Sequence, residues 1–486
     1  MRHFLFLLFL STLSSSLFAQ SRIQSAINTF AKGESVKNAS VGVCVIDVNS
    51  GQIVASHQPN QSLIPASALK AMTTATALAN LGGTYRFKTE LQHDGTISNG
   101  VLNGNLYLEG YGDPTFASDQ LEETTDLAAT MQELVECLNA ASVKQINGKI
   151  IGDASYFATQ ITPGTWQWND MGNYYGIGAA GLNVHENLYY LNFQQNQRLG
   201  QTVKVASTSP EVPDLEIISE VTSAGARTGD NAYIYGTPYS NLRYVRGTIP
   251  VGSGLFDIKG SMPDPAKFGA YHLQQTLQQN GIAVSNSYTT VRELQQNGES
   301  VNTNRTKLFT HYSPELKDII KRTNIKSVNL YCEAMLKTIG AVKGGEGSTE
   351  KGLEIMLDFW EQRGLNTDGL YLDDGSGLSR TNVITTFQLA KILQLAARDS
   401  GIYTDLYNSL PVGSESGSLK NMFRGTAAAG NIRAKSGTIK RVRSFTGYAT
   451  TKAGQQLAFC IIANNFSGSG GAMRRKMEKV MTTFCN

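Results

Sequence analysis

The chain has 486 residues, and its 42 basic against 39 acidic side chains give a formal net charge of +3. This near-neutral balance, without a basic stripe interleaved with aromatic residues, argues against nucleic acid as a partner. The chain is longer than a typical single domain, so two or three domains are expected. The five cysteines show neither CxxC pairs nor metal-type spacing with the six histidines, so we expect no metal, no cofactor and no disulfide-defined fold.

The first 19 residues have the pattern of a secretory signal peptide. Arg2 precedes the apolar run Phe4–Leu10, and Ala19 offers a small residue for cleavage. An uncleaved N-terminal anchor is the alternative. No later stretch is long and apolar enough to span a membrane. The mature protein is therefore expected to be exported, with the periplasm as its compartment, and peripheral membrane association is left open.

Strand patterns at both ends of the chain flank a helical middle. Residues 39–48 and 52–56 predict a hairpin, and residues 442–450 and 456–463 predict a second one. Residues 472–484 predict a closing helix with its methionines on one face. These elements favour an antiparallel sheet with helices packed against it, an α+β fold built from both ends of the chain.

One long segment between the terminal strands differs in composition from the rest of the chain. From about residue 91 to 260 it is rich in Gly, Asn, Thr, Val and Tyr, with many short strand-like segments. We therefore predict a signal peptide at 1–19, a discontinuous domain at 20–92 and 261–486, and an inserted, mainly β region at 93–260.

The stretch S-A-L-K from Ser67 to Lys70 precedes an alanine-rich run, which predicts that Ser67 lies at the start of a helix. Residues three apart share a helix face, so Lys70 would lie beside the serine hydroxyl. A serine needs such a base to act as a nucleophile. The same pattern recurs from Ser348 to Lys351 after a glycine-rich loop, where the serine is interpreted as a helix N-cap.

A second motif, Ser327-Val328-Asn329, opens a helical run. The Ser327 hydroxyl can pass a proton between Lys70 and a leaving amine, and Asn329 can bind a substrate amide or orient Lys70. The same tripeptide occurs at 300–302 in a polar loop, so the pattern alone is not specific. Its position at a helix start, after the Ser67 motif, favours the copy at 327.

A third motif, Lys435-Ser436-Gly437-Thr438, is predicted at a strand end. Lys435 adds a second cation near the site, which favours the neutral, basic form of Lys70. Ser436 and Thr438 offer hydroxyls to a substrate carboxylate, and Gly437 permits close approach of a ligand to the strand. The N–H groups of Ser67 and Thr438 are the expected oxyanion donors.

S-x-x-K, S-D-N and K-T-G form the signature of penicillin-binding proteins and class A β-lactamases, and this chain departs from it only at Val328 and Ser436. With further stretches, the sequence resembles the serine DD-carboxypeptidase/DD-endopeptidase family of low-molecular-mass penicillin-binding proteins that carry a large insert. The resembling stretches lie at 65–70, 110–115, 166–170, 174–175, 182–187, 327–329, 374–380 and 434–438.

The resemblance implies a penicilloyl-serine-transferase fold, with Ser67 acylated, Lys70 as base and Ser327 as proton relay. It further implies peptidoglycan stem peptides as substrates and β-lactam antibiotics as acylating inhibitors. The turn at 374–377 is interpreted as structural. Two alternatives stay open: a β-lactamase, against which the long insert argues, and a non-catalytic cell-wall-binding protein, against which the complete set of serines and lysines argues.

Overall fold

A computed structural model describes residues 20–486, and the predicted signal peptide lies outside the described residues. The chain forms two compact units. The first comprises residues up to Thr84 together with Leu316–Val328 and Leu353–Asn486, and the second comprises Tyr85–Glu315 and Asn329–Gly352. Each unit is built from segments that are distant in sequence.

In chain order, the helices of residues 20–486 are α1 (residues 20–31), α2 (Lys70–Leu81), α3 (Leu127–Ala140), α4 (Trp168–Met171), α5 (Pro265–Gln279), α6 (Val291–Gln296), α7 (Leu316–Lys326), α8 (Asn329–Gly344), α9 (Thr349–Glu361), α10 (Thr386–Ala396), α11 (Ser400–Ser409) and α12 (Gly470–Thr482).

The strands, in the same order, are β1 (Ser40–Asp47), β2 (Ile53–His57), β3 (Ser62–Leu63), β4 (Lys88–His93), β5 (Thr96–Ser98), β6 (Val101–Asn103), β7 (Leu106–Gly110), β8 (Gln145–Ile146), β9 (Ile150–Asp153), β10 (Leu188–Gln194), β11 (Lys204–Ser209), β12 (Glu216–Ala224), β13 (Asn231–Tyr235), β14 (Leu242–Pro250), β15 (Leu255–Ser261), β16 (Ala283–Val284), β17 (Thr289–Thr290), β18 (Thr306–Tyr312), β19 (Ile384–Thr385), β20 (Ile432–Ile439), β21 (Val442–Thr450) and β22 (Gln456–Asn464).

The first unit is organised around a five-stranded sheet in the order β2-β1-β22-β21-β20. Every neighbouring pair in it is antiparallel. The two ends of the chain meet where β1 pairs with β22 along its whole length. The predicted antiparallel sheet, built from both termini, is therefore confirmed.

Helices cover both faces of this sheet, which explains the sequence of its central strands. The terminal helices α1 and α12 contribute to a core with β1, β21 and β22, and in α12 the predicted face of Met473, Met477, Val480 and Met481 is buried. Helix α10 packs on β1 and β22. A strand buried on both faces has no polar alternation, so β1 and β22 appear as continuous apolar runs.

The second unit is mainly β and contains four sheets, in the orders β17-β9-β7-β4-β18, β16-β8-β6-β5, β11-β10-β15 and β12-β14-β13. It includes more residues than the predicted insert of 93–260. Strand β4 pairs with β7 and with β18, so residues 88–93 and 306–312 belong to one sheet of this unit. Helix α5 joins the same core, and α8 also belongs to this unit.

All five cysteines are free thiols. Cys44 and Cys460 are buried and face each other across β1 and β22, as their apolar strand-like surroundings suggested. Burial raises the pKa of the Cys44 thiol to about 12 and that of Cys460 well above its ordinary range. Residues 20–486 include no helix with both the length and the apolar character of a membrane span.

Because the fold contains no cross-link among these cysteines, we expect a reducing agent to leave the melting temperature unchanged. A disulfide stabilises chiefly by restricting the unfolded chain, and its loss typically costs about 2–5 kcal/mol. Thermal unfolding of the mature protein with and without dithiothreitol measures this. A fall of several degrees under reducing conditions would contradict the free-thiol description.

Candidate active site

Ser67 and Lys70 lie at the entry to helix α2. A 3-10 turn over Ala66–Leu69 presents the serine, and α2 begins at Lys70. Lys70 is fully buried, and its Nζ donates a hydrogen bond to Ser67 Oγ at 3.2 Å. Ala66 has a φ of +47°, a left-handed conformation that a residue with a side chain adopts at a cost. The predicted juxtaposition of serine and lysine at a helix start is present.

A glycine-containing turn at 374–379 holds Lys70 in place. Lys70 Nζ also donates to the carbonyl oxygen of Ser376 at 2.5 Å. Asp374 fixes the turn by accepting from the backbone N–H groups of Gly377 and Ser379, each at 2.6 Å. Gly377 has a φ of +81°, and a Cβ there would lie 2.0 Å from the carbonyl oxygen of Ala66. The turn is thus structural, and it also positions the amine of Lys70.

A second lysine and a second serine form a matching pair. Lys435 is 1% exposed, and its Nζ donates to Ser327 Oγ at 2.9 Å and to the carbonyl oxygen of Ser436 at 2.8 Å. Ser327 has a φ of +63°, so it too is held in a sparsely populated backbone conformation, in the short link between α7 and α8. Two buried lysines therefore each contact one serine hydroxyl in the first unit.

The K-S-G-T motif lies in the C-terminal part of β20, next to the strand end at Ile439, as predicted. Residues 435–438 pair with residues 443–446 of β21, and the strand continues to Ile439. A Cβ at Gly437 would lie 2.5 Å from the carbonyl oxygen of Pro65 and 2.9 Å from the amide nitrogen of Ala68. The absent side chain therefore lets β20 pack directly against the turn that carries Ser67.

The hydroxyls of this motif have partners that the sequence did not indicate. Ser436 Oγ is 2.8 Å from Ser418 Oγ, and exposed Thr438 accepts a hydrogen bond from the Arg443 guanidinium. Thr438 also lines an open cavity of about 660 Å³ together with Lys440 and Arg441. Arg443 lies directly opposite Thr438 in the β20–β21 register. This proximity arises from the pairing of the two strands, so the residues around Arg443 in the sequence do not predict it. These cations suit a carboxylate ligand.

Asn329 belongs to the second unit, where it is the first residue of α8. Its side-chain amide donates to the carbonyl oxygen of Tyr175 at 2.6 Å. Two turns further along α8, buried Lys337 donates to the carbonyl oxygens of Gln160 at 2.6 Å and Ala179 at 3.0 Å. Helix α8 thereby fixes the segment 160–179. The signal for Lys337 was a lysine beside Met335, Leu336 and Ile339 in a largely apolar helical run.

The second S-x-x-K pattern has the structural role expected of it. Ser348 Oγ accepts a hydrogen bond from the backbone N–H of Lys351 at 3.1 Å, which caps the start of α9. The tripeptide at 300–302 lies outside helices and strands. Among the described residues, no group of three or more His, Cys, Asp or Glu side chains could hold a metal ion.

Known proteins with similar sequence or structure agree with this fold. The family model described as D-Ala-D-Ala carboxypeptidase 3 (S13) family matches residues 23–485. The chain is 28% identical over 469 residues to a D-alanyl-D-alanine carboxypeptidase of Actinomadura sp. (strain R39), covering 92% of this chain and 82% of that protein. It is 25% identical over 467 residues to D-alanyl-D-alanine carboxypeptidase DacB of Haemophilus influenzae, covering 94% and 92%.

A solved structure confirms the predicted fold class. The crystal structure of penicillin binding protein 4 (dacB) from Haemophilus influenzae superposes with a TM-score of 0.78 at 23% identity, covering 92% of this chain and 95% of that one. The α+β, transpeptidase-like architecture predicted from the sequence is therefore shown.

Gly437→Ala is expected to slow acylation of the serine. The added methyl group would collide with backbone atoms of Pro65 and Ala68, so the Ser67 turn must shift. A displacement of about 1 Å at a reacting group can cost roughly 100-fold in rate, and we expect a 10- to 100-fold slower reaction with a fluorescent penicillin. Gly471→Ala is the matched control, because its nearest neighbour, Arg475 Nη1, is 3.8 Å away. Equal rates in the two variants would contradict the packing role.

Lys337 should make the stability of the protein depend on alkaline pH. Burial, opposed by the charges of Glu333 and Glu350, lowers the pKa of Lys337 from 10.5 to about 8. Between these values the unfolded chain holds more protons than the folded chain, so stability rises with pH. Relative to Lys337→Met, we expect the free energy of unfolding of the wild type to rise by about 3 kcal/mol from pH 7 to 10.5.

Urea denaturation at several pH values measures this difference. Lys343→Met is the control, since Lys343 is an exposed lysine in the last turn of the same helix. The difference in free energy of unfolding between Lys343→Met and wild type should stay constant from pH 7 to 10.5. A flat difference for Lys337→Met as well would contradict the burial argument.

Proposed function

The chain belongs to the D-Ala-D-Ala carboxypeptidase 3 (S13) family, and from this membership we propose that it is an exported serine DD-peptidase acting on peptidoglycan. Its substrates are D-Ala-D-Ala termini of stem peptides and, by the same chemistry, D-centred cross-links. The observation that carries the proposal is the pair of buried lysines, each hydrogen-bonded to one serine hydroxyl. A protein that only bound the wall would need no base beside a nucleophile.

In the proposed reaction Ser67 Oγ attacks the carbonyl carbon of the penultimate D-Ala. Neutral Lys70 accepts the hydroxyl proton, which is supported by the 3.2 Å contact between the two side chains. The new Oγ–C bond replaces the C–N bond, and the leaving amine of D-Ala takes up a proton. Water then hydrolyses the acyl-enzyme, which releases the shortened peptide and restores Ser67.

Ser327 and Lys435 deliver the proton to the leaving amine in this proposal. Their 2.9 Å hydrogen bond supports a relay in which Ser327 donates and is reprotonated from a neighbouring lysine. Asn329 contributes to substrate binding from the start of α8. The oxyanion is held by the N–H groups of Ser67 and Thr438, which lie on a helix entry and on a strand respectively.

Strand β20 supplies the surface for the substrate backbone. It is the edge strand of its sheet; on its outer side residues 411–413 bond to residues 432–434, and the following residues 435–438 are where an added strand would pair. Ser436, Gly437 and Thr438 lie along it, and the cations Lys440, Arg441 and Arg443 near Thr438 favour the terminal carboxylate. β-lactam antibiotics, which carry a carboxylate beside a reactive amide, are expected to acylate Ser67 from the same position.

The compartment and the domain roles follow from this substrate. Peptidoglycan lies outside the cytoplasmic membrane, which fits the predicted signal peptide and a periplasmic location. We assign the reaction to the domain that contains the five-stranded sheet, and substrate selection to the inserted region. The β-lactamase alternative predicts rapid turnover of a chromogenic cephalosporin, whereas a DD-peptidase forms a long-lived acyl-enzyme.

Ser67→Ala is expected to abolish release of D-Ala from a soluble pentapeptide, because the variant has no nucleophile. Removal of such a group typically lowers the rate by about 10⁴- to 10⁶-fold. Ser348→Ala, which removes the serine of the second S-x-x-K pattern, should retain activity because Ser348 only caps α9. Mass spectrometry of the products measures both, with a cross-linked muropeptide as the parallel substrate.

Three outcomes would contradict the proposal. Equal activity of Ser67→Ala and wild type would remove Ser67 from the reaction. Failure of the wild type to release D-Ala, together with binding to cell walls, would support the non-catalytic alternative. Cleavage of the β-lactam ring at many turnovers per second would support the β-lactamase.

A further inference from the structure

The second unit exposes aromatic residues on the outer face of the sheet β12-β14-β13. Because side chains alternate along a strand, Tyr233 and Tyr235 of β13 share one face while Ala232 and Ile234 are buried on the other. The register places Tyr235 opposite Tyr244 of β14. Tyrosine is common in strands, but a contiguous group of exposed aromatic side chains, unlike a single one, indicates an interaction surface.

Trp168 extends this face from the neighbouring helix α4. Its ring lies 4.8 Å from the ring of Tyr235, centroid to centroid, and it is 52% exposed. Asn173 fixes the position of this segment, because its side chain both donates to the carbonyl oxygen of Ile234 and accepts from its N–H, at 3.1 and 3.0 Å. The tryptophan is therefore held in place while its ring remains open to solvent.

Charged groups lie between the rings. Arg246 faces Tyr233 in the strand register and forms a two-point ion pair with Glu220 of β12, with N–O distances of 2.9 and 3.3 Å. The guanidinium carbon lies 5.9 Å from the ring centroid of Tyr235 and 5.7 Å from that of Tyr244. Fixed hydrogen-bond donors and acceptors are thus set beside aromatic faces. We call Trp168, Tyr233, Tyr235, Tyr244 and Arg246 the aromatic sheet face.

We propose that the aromatic sheet face binds the glycan strand of peptidoglycan, by stacking of pyranose rings on Trp168 and Tyr233. The C–H groups on one side of a sugar ring carry partial positive charge and suit the negative face of an aromatic ring. Sugar hydroxyls and N-acetyl groups pair with Arg246 and Glu220. A purely apolar ligand would remove water from this ion pair and offer it no hydrogen bonds in return, which is unfavourable.

The aromatic sheet face is continuous with a residue already assigned to substrate binding. Tyr174 and Tyr175 follow α4, with their rings 5.3 Å apart, and Asn329 donates to the carbonyl oxygen of Tyr175. The Tyr175 side chain contacts Asp170 and lies near Tyr233, and burial together with these groups raises its pKa. The inference rests on the proposed function, because stem peptides are attached to the glycan that this face would hold.

The test measures binding of Ser67→Ala protein to glycan strands freed of stem peptides by an amidase. This background has no nucleophile and the probe has no peptide, so the result is independent of DD-peptidase activity. Of the three tryptophans, Trp166 and Trp360 are buried, so a change in tryptophan emission on titration reports on Trp168. We expect Tyr233→Ala to weaken binding about tenfold and Tyr233→Phe, which keeps the ring, to bind normally.

Tyr312→Ala is the matched control, since Tyr312 is 59% exposed on β18 of the same unit but outside the aromatic sheet face. It should bind as the parent protein does, and thermal unfolding of each variant verifies its fold. No binding by the parent protein, or equal weakening in Tyr233→Ala, Tyr233→Phe and Tyr312→Ala, would overturn the proposal. So would concentration-dependent self-association that Tyr233→Ala removes, because the occupant would then be a second copy of the chain.

Discussion

Burial of two lysine amines is the constraint on which the first unit depends. Lys70 and Lys435 have almost no solvent contact, so each must find its hydrogen bonds inside the protein. A serine hydroxyl and a backbone carbonyl serve each of them. The carbonyl for Lys70 comes from the turn at 374–379, and that for Lys435 comes from the next residue of β20. Lys70 therefore depends on the packing of this turn against the start of α2, and Lys435 depends on the position of Ser327 beside β20.

Much of this arrangement could be predicted from the sequence because its elements have strong local signals. β1 and β22 are continuous apolar runs, α12 repeats methionine at helical spacing, and Ser348 follows a glycine-rich loop as an N-cap does. The sequence did not predict that the carbonyl oxygen of Ser376 accepts a hydrogen bond from Lys70, because every residue has a backbone carbonyl. The sequence also did not predict how many residues belong to the second unit, since the pairing of β4 with β18 joins segments far apart in the chain.

The second unit contributes through rigidity and surface chemistry. Lys337 and Asn329, two turns apart on α8, bind carbonyl oxygens of the segment that carries Trp168 and Tyr174. Because Lys337 is buried, these hydrogen bonds are its means of satisfying the amine inside the protein, and they hold this segment against α8. In the proposed function the peptidase must locate short peptides on long sugar strands, and the proposed role of the aromatic sheet face is to bind those strands.

The serine that penicillin modifies shows directly whether Ser67 is the nucleophile. Wild-type protein treated with penicillin, digested and analysed by mass spectrometry should carry the penicilloyl group on the peptide that contains Ser67. We expect a single modified serine, Ser67, whose hydroxyl accepts a hydrogen bond from the Lys70 amine that the turn at 374–379 positions. An adduct on Ser327, on Ser348 or on no residue at all would contradict it.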